Sequence, residues 1–104
     1  SAASDVYKRQ YHGKTRKYII PLDSITKVQV YSSLPEAGRV GGIDLEHYWQ
    51  GTFVMVHDGT VHLCLDPTAG KFLRVETEDG IFWLTAETDE QTEKVADWLT
   101  EELS

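Results

Sequence analysis

The 104-residue chain has one cysteine, one methionine and three prolines. A lone Cys64 cannot close an internal disulfide and has no Cys-x-x-Cys partner. That excludes a disulfide framework and a cysteine-based zinc site, and leaves the redox compartment open. Long apolar runs are missing too: Phe53 to Val56 is typical, far below the ~20 residues that a membrane-spanning helix needs. The chain as given is expected to be soluble. Basic residues are scarce in most of the chain: residues 1–17 hold five against one acidic residue, but 18–104 hold five against sixteen, a balance of −11. A body of that sign repels phosphate backbones and anionic headgroups, so nucleic acid is not an expected partner. Internal repeats and low-complexity tracts are absent.

A chain of this length fits one domain, which buries roughly two thirds of its unfolded surface and needs no staple. At its start, SDVYKRQ (residues 4–10) resembles translated sequencing-adapter sequence at the ends of metagenomic reading frames. Residues 1–15 are therefore expected to be a non-native or disordered segment, with the natural upstream sequence missing, and residues 16–104 to form the domain.

Tyr18 to Leu22 is a short apolar run interrupted by Pro21, which suits a strand end or edge. Ser24 to Tyr31 alternates with β-branched residues and predicts a strand, with one irregularity between Ile25 and Val28. Leu34 to Gly42, with Pro35 and its glycines, reads as a loop. Thr52 to His57 and Thr60 to Asp66 flank Asp58-Gly59, the dipeptide of a two-residue type I′ hairpin turn. Lys71 to Thr77 alternates as a half-buried strand, Glu78-Asp79-Gly80 supplies another turn, and Ile81 to Ala86 is an apolar strand covered on both faces.

The period then changes. Thr88 is placed to cap the amide of Gln91, and Asp89 and Glu90 sit at the positive end of a helix dipole. Thr92, Val95, Ala96, Leu99 and Leu103 fall on one face of that helix, with Trp98 on its flank. Some six short strands and one amphipathic helix favour a curled antiparallel sheet, partly open and plugged by the helix.

That order of elements resembles the pleckstrin-homology-like (PH-like) fold. The stretches IPLDSITKV (residues 20–28), GRVGG (38–42), Trp49-Gln50-Gly51-Thr52-Phe53, DGTVHLCL (58–65) and FLRVETEDGIFWLTAETDEQ (72–91) resemble bacterial PH domains of unknown function in membrane-associated proteins. The resemblance implies an α+β, mainly β architecture: a partly open antiparallel barrel or sandwich of six to seven strands capped by one C-terminal helix. It also implies a non-catalytic module for protein assembly or interaction in a membrane-associated parent, through a protein partner or self-association.

Candidate sites follow from residue chemistry. GRVGG lacks the spacing of GxGxxG or GxxxxGK[ST] and no helix follows it, so it is not a phosphate cradle. Its expected role is to let the chain cross between parts of the sheet. Arg39, Tyr48 and Trp49 are candidates for a recognition surface, because arginine and aromatics dominate interface hot spots. Lys14-Thr15-Arg16 resembles the K-x-R pattern of lipid-binding PH domains. With Arg39, Lys14 and Arg16 would serve the alternative function, binding a lipid headgroup or small anionic ligand. His57 and His62 are expected as a diagonal pair on one sheet face and, with Asp58, imitate a metal site. Two histidines lacking a further ligand are better read as the polar face of a hairpin, so no metal and no cofactor is expected. Cys64 has acidic rather than basic neighbours and is expected to be inert, and no nucleophile-base pair is visible.

Overall fold

The computed structural model describes residues 20–104. The strand expected over Tyr18 to Leu22 falls partly outside them. Within them, Leu22–Ser24 forms a 3-10 turn, closed by bonds from the Ser24 amide (3.1 Å) and hydroxyl (2.7 Å) to the Pro21 carbonyl. Pro21 has no amide hydrogen to give a ladder, and its fixed φ starts the turn instead.

Six strands follow: β1 (Ile25–Tyr31), β2 (Ala37–Asp44), β3 (Trp49–Met55), β4 (Gly59–Leu65), β5 (Phe72–Thr77) and β6 (Gly80–Leu84). The helix α1 spans Asp89–Leu103. The strands make one sheet in the order β1-β5-β6-β4-β3-β2. All neighbours are antiparallel except β4 and β6, which run parallel through His62–Phe82, Leu63–Trp83 and Cys64–Leu84. β1 and β2 lie at opposite edges, so the layer is open. Its curl brings Lys27 and Gln29 of β1 to the same cleft as Met55 of β3. This is the mainly β, PH-like architecture with one C-terminal helix that the sequence implied.

Two expectations about the hairpins are corrected. The stretch read as loop over Leu34 to Gly42 is largely strand, since β2 pairs with β3 from Ala37–Met55 to Asp44–Trp49. Glycine lowers strand propensity, but β3 supplies a template, and a bulge between Arg39 and Gly41 absorbs the irregularity. The first hairpin is also longer than expected. Met55 pairs with Gly59, leaving a three-residue turn, Val56 to Asp58, and Gly59 takes the left-handed conformation at φ 74°. A turn of this length ending in a left-handed glycine is the common alternative to the type I′ hairpin.

Alternation along the strands sends apolar side chains to both faces. On one face Ile25, Leu73, Val75 and Leu84 meet Val95, Ala96 and Leu99 of the helix. On the other, inner face, Phe53, Met55, Leu63, Phe72 and Trp83 form a second cluster. The Thr88 hydroxyl accepts from the Gln91 amide at 3.1 Å, as the capping pattern predicts. Asp89 tethers the β4–β5 connection to the helix start, its carboxylate accepting from the amides of Gly70 (3.0 Å) and Lys71 (3.1 Å). Leu103 departs from its expected place in the docking stripe: it is 40% exposed, because the last turn extends past the cluster that Leu99 fills.

Candidate functional site

Two features stand out, a charged cluster in the cleft of the curled sheet and a bare edge strand. The cluster begins with β5, which directs Phe72, Arg74 and Glu76 to the inner face while Leu73 and Val75 face the helix. Arg74 thus carries a guanidinium, 10% exposed, onto an apolar face. Asp58 in the β3–β4 turn meets it twice, accepting from Nε at 3.0 Å and Nη2 at 2.8 Å. Nη1 donates to Gln29 at 2.9 Å and to the carboxylate of Glu76. Trp83 Nε1 donates to Asp58 at 2.9 Å, and the Trp83 ring lies 5.0 Å from that of Tyr31. Lys27, Pro35, Met55 and His57 help line the surrounding cleft of about 280 Å³.

Hydrogen bonding from Arg74 is the main cause holding the Asp58 carboxyl below its ordinary range, against an opposing push from burial and with help from Trp83. Chiefly through Asp58, the Arg74 guanidinium is driven in the opposite direction, still more firmly charged. Two carboxylates neutralise this arginine, and its bonds are directed at protein groups. Its chemistry is that of a clamp on the β3–β4 turn rather than an anion receptor.

The edge strand is different in kind. From Gly38 to Asp44 every residue of β2 is exposed, Val40 at 65% and Ile43 at 39%, with Leu45 just beyond at 60%. Here Gly42 (φ 134°) crosses Gly51 (φ 129°). A Cβ on Gly42 would sit 2.1 Å from the Gln50 carbonyl oxygen, and one on Gly51 2.2 Å from that of Gly41. Only glycine allows these two backbones to approach so closely.

The residues singled out from the sequence do not converge. Arg39 is exposed on β2 opposite Phe53, and its Nη1 donates to the Gly42 carbonyl at 3.2 Å. Tyr48, in the β2–β3 connection, packs on the helix-side cluster. Its neighbour Trp49 packs on the inner cluster, stacked on Phe53 with ring centres 5.5 Å apart. Lys14 and Arg16 lie outside the described residues. The diagonal histidine pair is corrected by the longer turn: His57 sits in the turn itself, while His62 pairs with Thr52 and lies tilted against Phe82, ring centres 5.0 Å apart. Among the described residues no group of three or more His, Cys, Asp or Glu converges as a metal site would require. None of the helices among them is long and apolar enough to cross a membrane.

The Asp58–Arg74–Trp83 network was missed in the sequence because Asp58 reads as a turn residue and Arg74 as the polar side of an alternating strand. The available signal was Phe72, on the same parity as Arg74, which marks that face as buried and obliges the arginine to find partners.

The family model for the bacterial PH domain matches residues 9–97. Neither a curated protein nor a solved structure gives a significant match.

Proposed function

Because the chain belongs to the bacterial PH domain family, we propose that it is a non-catalytic module whose exposed edge strand β2 binds a protein, within a membrane-associated parent. The observation that carries this reading is the run of exposed residues from Gly38 to Asp44 at a sheet edge. An edge strand presents unpaired amides and carbonyls, and adding a strand is a common way for a sheet to recognise a peptide or protein. Natural edges are usually guarded by charged side chains, proline or a bulge; β2 has no lysine or proline, and its guards are the bulge at Val40 and the charges of Arg39 and Asp44. What supports membrane association is the likeness to domains of membrane-associated proteins. The alternative expected from the sequence, capture of an anionic headgroup or small anion, gains nothing from Arg74, whose charge Asp58 and Glu76 already meet.

The test places a photoreactive benzophenone side chain at Val40 in the chain expressed in bacterial cells, with the same probe at the exposed Glu101 as control. Protein adducts from residue 40 and none from residue 101 are expected. Vesicles rich in anionic lipid are expected to leave the purified chain in the supernatant. No adducts at Val40, together with salt-sensitive pelleting, would overturn the reading in favour of lipid binding.

A further inference from the structure

We propose that the protein bound by β2 is a second copy of the same chain, its β2 pairing antiparallel across a two-fold axis that passes through Gly42. This inference rests on the edge-strand reading above and names its partner. The argument begins with the bulge at Val40. Arg39 lies opposite Phe53 and Asp44 opposite Trp49. Phe53 and Trp49 are four apart on β3 and therefore share a face, which places Arg39 and Asp44 on that face too. In a regular strand, residues five apart would point to opposite faces. By the same reasoning Gly41, opposite Thr52, shares the other face with Ile43, opposite Gln50.

A two-fold axis perpendicular to the sheet keeps each face on its own side, so opposed residues must share a face. With Gly42 on the axis, Gly41 opposes Ile43 of the second copy, and beyond the bulge Arg39 opposes Asp44. The relation is reciprocal, giving two opposite-charge pairs at the two ends of a self-complementary contact. Among the described residues neither side chain has an ion pair, and the Asp44 carboxylate has no hydrogen bond. In a body so short of basic residues, Arg39 is a rare cation, and it stands on the open edge. The bare backbone adds to the argument. A Cβ on Gly38 or on Gly41 would meet nothing within 4 Å, so the packing of one chain does not require glycine at either place. Glycine there leaves room for another backbone to come close.

Sedimentation velocity over a wide concentration range tests this at about 0.15 M salt, where screening within roughly 8 Å mutes the repulsion between two acidic bodies. The native chain is expected to show a monomer–dimer equilibrium. Arg39→Asp and Asp44→Arg each set like charges against each other at both ends and are expected to weaken dimerisation at least about tenfold. The double variant Arg39→Asp/Asp44→Arg is expected to regain it. So is an equimolar mixture of the two single variants, whose heterodimer restores both pairs. Single variants that dimerise like the native chain, or a mixture that recovers nothing, would overturn the register. A native chain that is monomeric throughout overturns the second copy. If residue 40 still cross-links to a different protein, the edge-strand reading outlives that result; if it cross-links to nothing, both fall.

Discussion

Arg74 grips Asp58 through two bonds, Nε to Oδ2 at 3.0 Å and Nη2 to Oδ1 at 2.8 Å, joining the middle of β5 to the β3–β4 turn. Both side chains are largely buried, at 10% and 14% exposure. In such a place a charge without its partner is costly, although Glu76 and Gln29 retain part of the guanidinium's bonding. Asp58→Asn keeps the shape and removes the charge. It is expected to destabilise the fold by about 2–3 kcal/mol in urea unfolding. A change below 0.5 kcal/mol would show that the pair is only incidental to the turn.

Acid should act through the same carboxylate. The Asp58 pKa in the folded chain lies below the ordinary value of 3.8, so the unfolded chain binds its proton first as pH falls. Its contribution is fully present above pH 3.8 and is lost as pH drops through the lower, folded value. Thermal unfolding of the native chain should therefore weaken more steeply below about pH 4 than that of Asp58→Asn. Parallel acid limbs in the two proteins would rule out this assignment.

The two kinds of glycine in the β2–β3 hairpin should respond oppositely to a methyl group. Gly51→Ala forces a Cβ against the Gly41 carbonyl at φ 129° and is expected to cost about 3 kcal/mol or more. Gly38→Ala adds its methyl to open space and should change stability by about 0.5 kcal/mol or less. Differential scanning calorimetry of the dilute chain reads both. Equal losses would mean that the close crossing is not what demands glycine.

A buried hydroxyl connects the end of the sheet to the helix. Thr92, 1% exposed, accepts from the Ala86 amide at 2.9 Å and donates to the Thr88 carbonyl at 3.1 Å. Thr92→Val preserves volume but orphans the Ala86 amide, for an expected loss of about 1–3 kcal/mol in chemical denaturation. Amide exchange at Ala86 should quicken along with it; unchanged exchange would point to another acceptor.

Much of the fold was legible because its signals are local. The Thr88 cap, the change of period at the helix, and the turn at Glu78-Asp79-Gly80 each depend on residues a few positions apart. β2 was not legible, because glycines in a row read as a loop until β3 supplies the pairing that holds them extended. Leu103 shares the parity of Leu99 but not its surroundings, and only the length of the sheet beneath the helix separates them. The hairpin length at Asp58 depended on a single residue of register, and with it went the supposed partnership of His57 and His62. At the candidate surface, Arg39 was visible as a rare cation. Its relation to Asp44 was hidden, since a bulge that exchanges faces leaves no trace in composition.

The parallel ladder between β4 and β6 is held by three residue pairs. On one side of it stands the meander β2-β3-β4, built from neighbouring hairpins, and on the other the trio β1-β5-β6 with its helix. The ladder does not act alone, since the Arg74–Asp58 clamp and the shared cluster of Phe53, Met55, Leu63, Phe72 and Trp83 also span the two groups of strands; under load or in mild denaturant the halves should part only as the whole core opens.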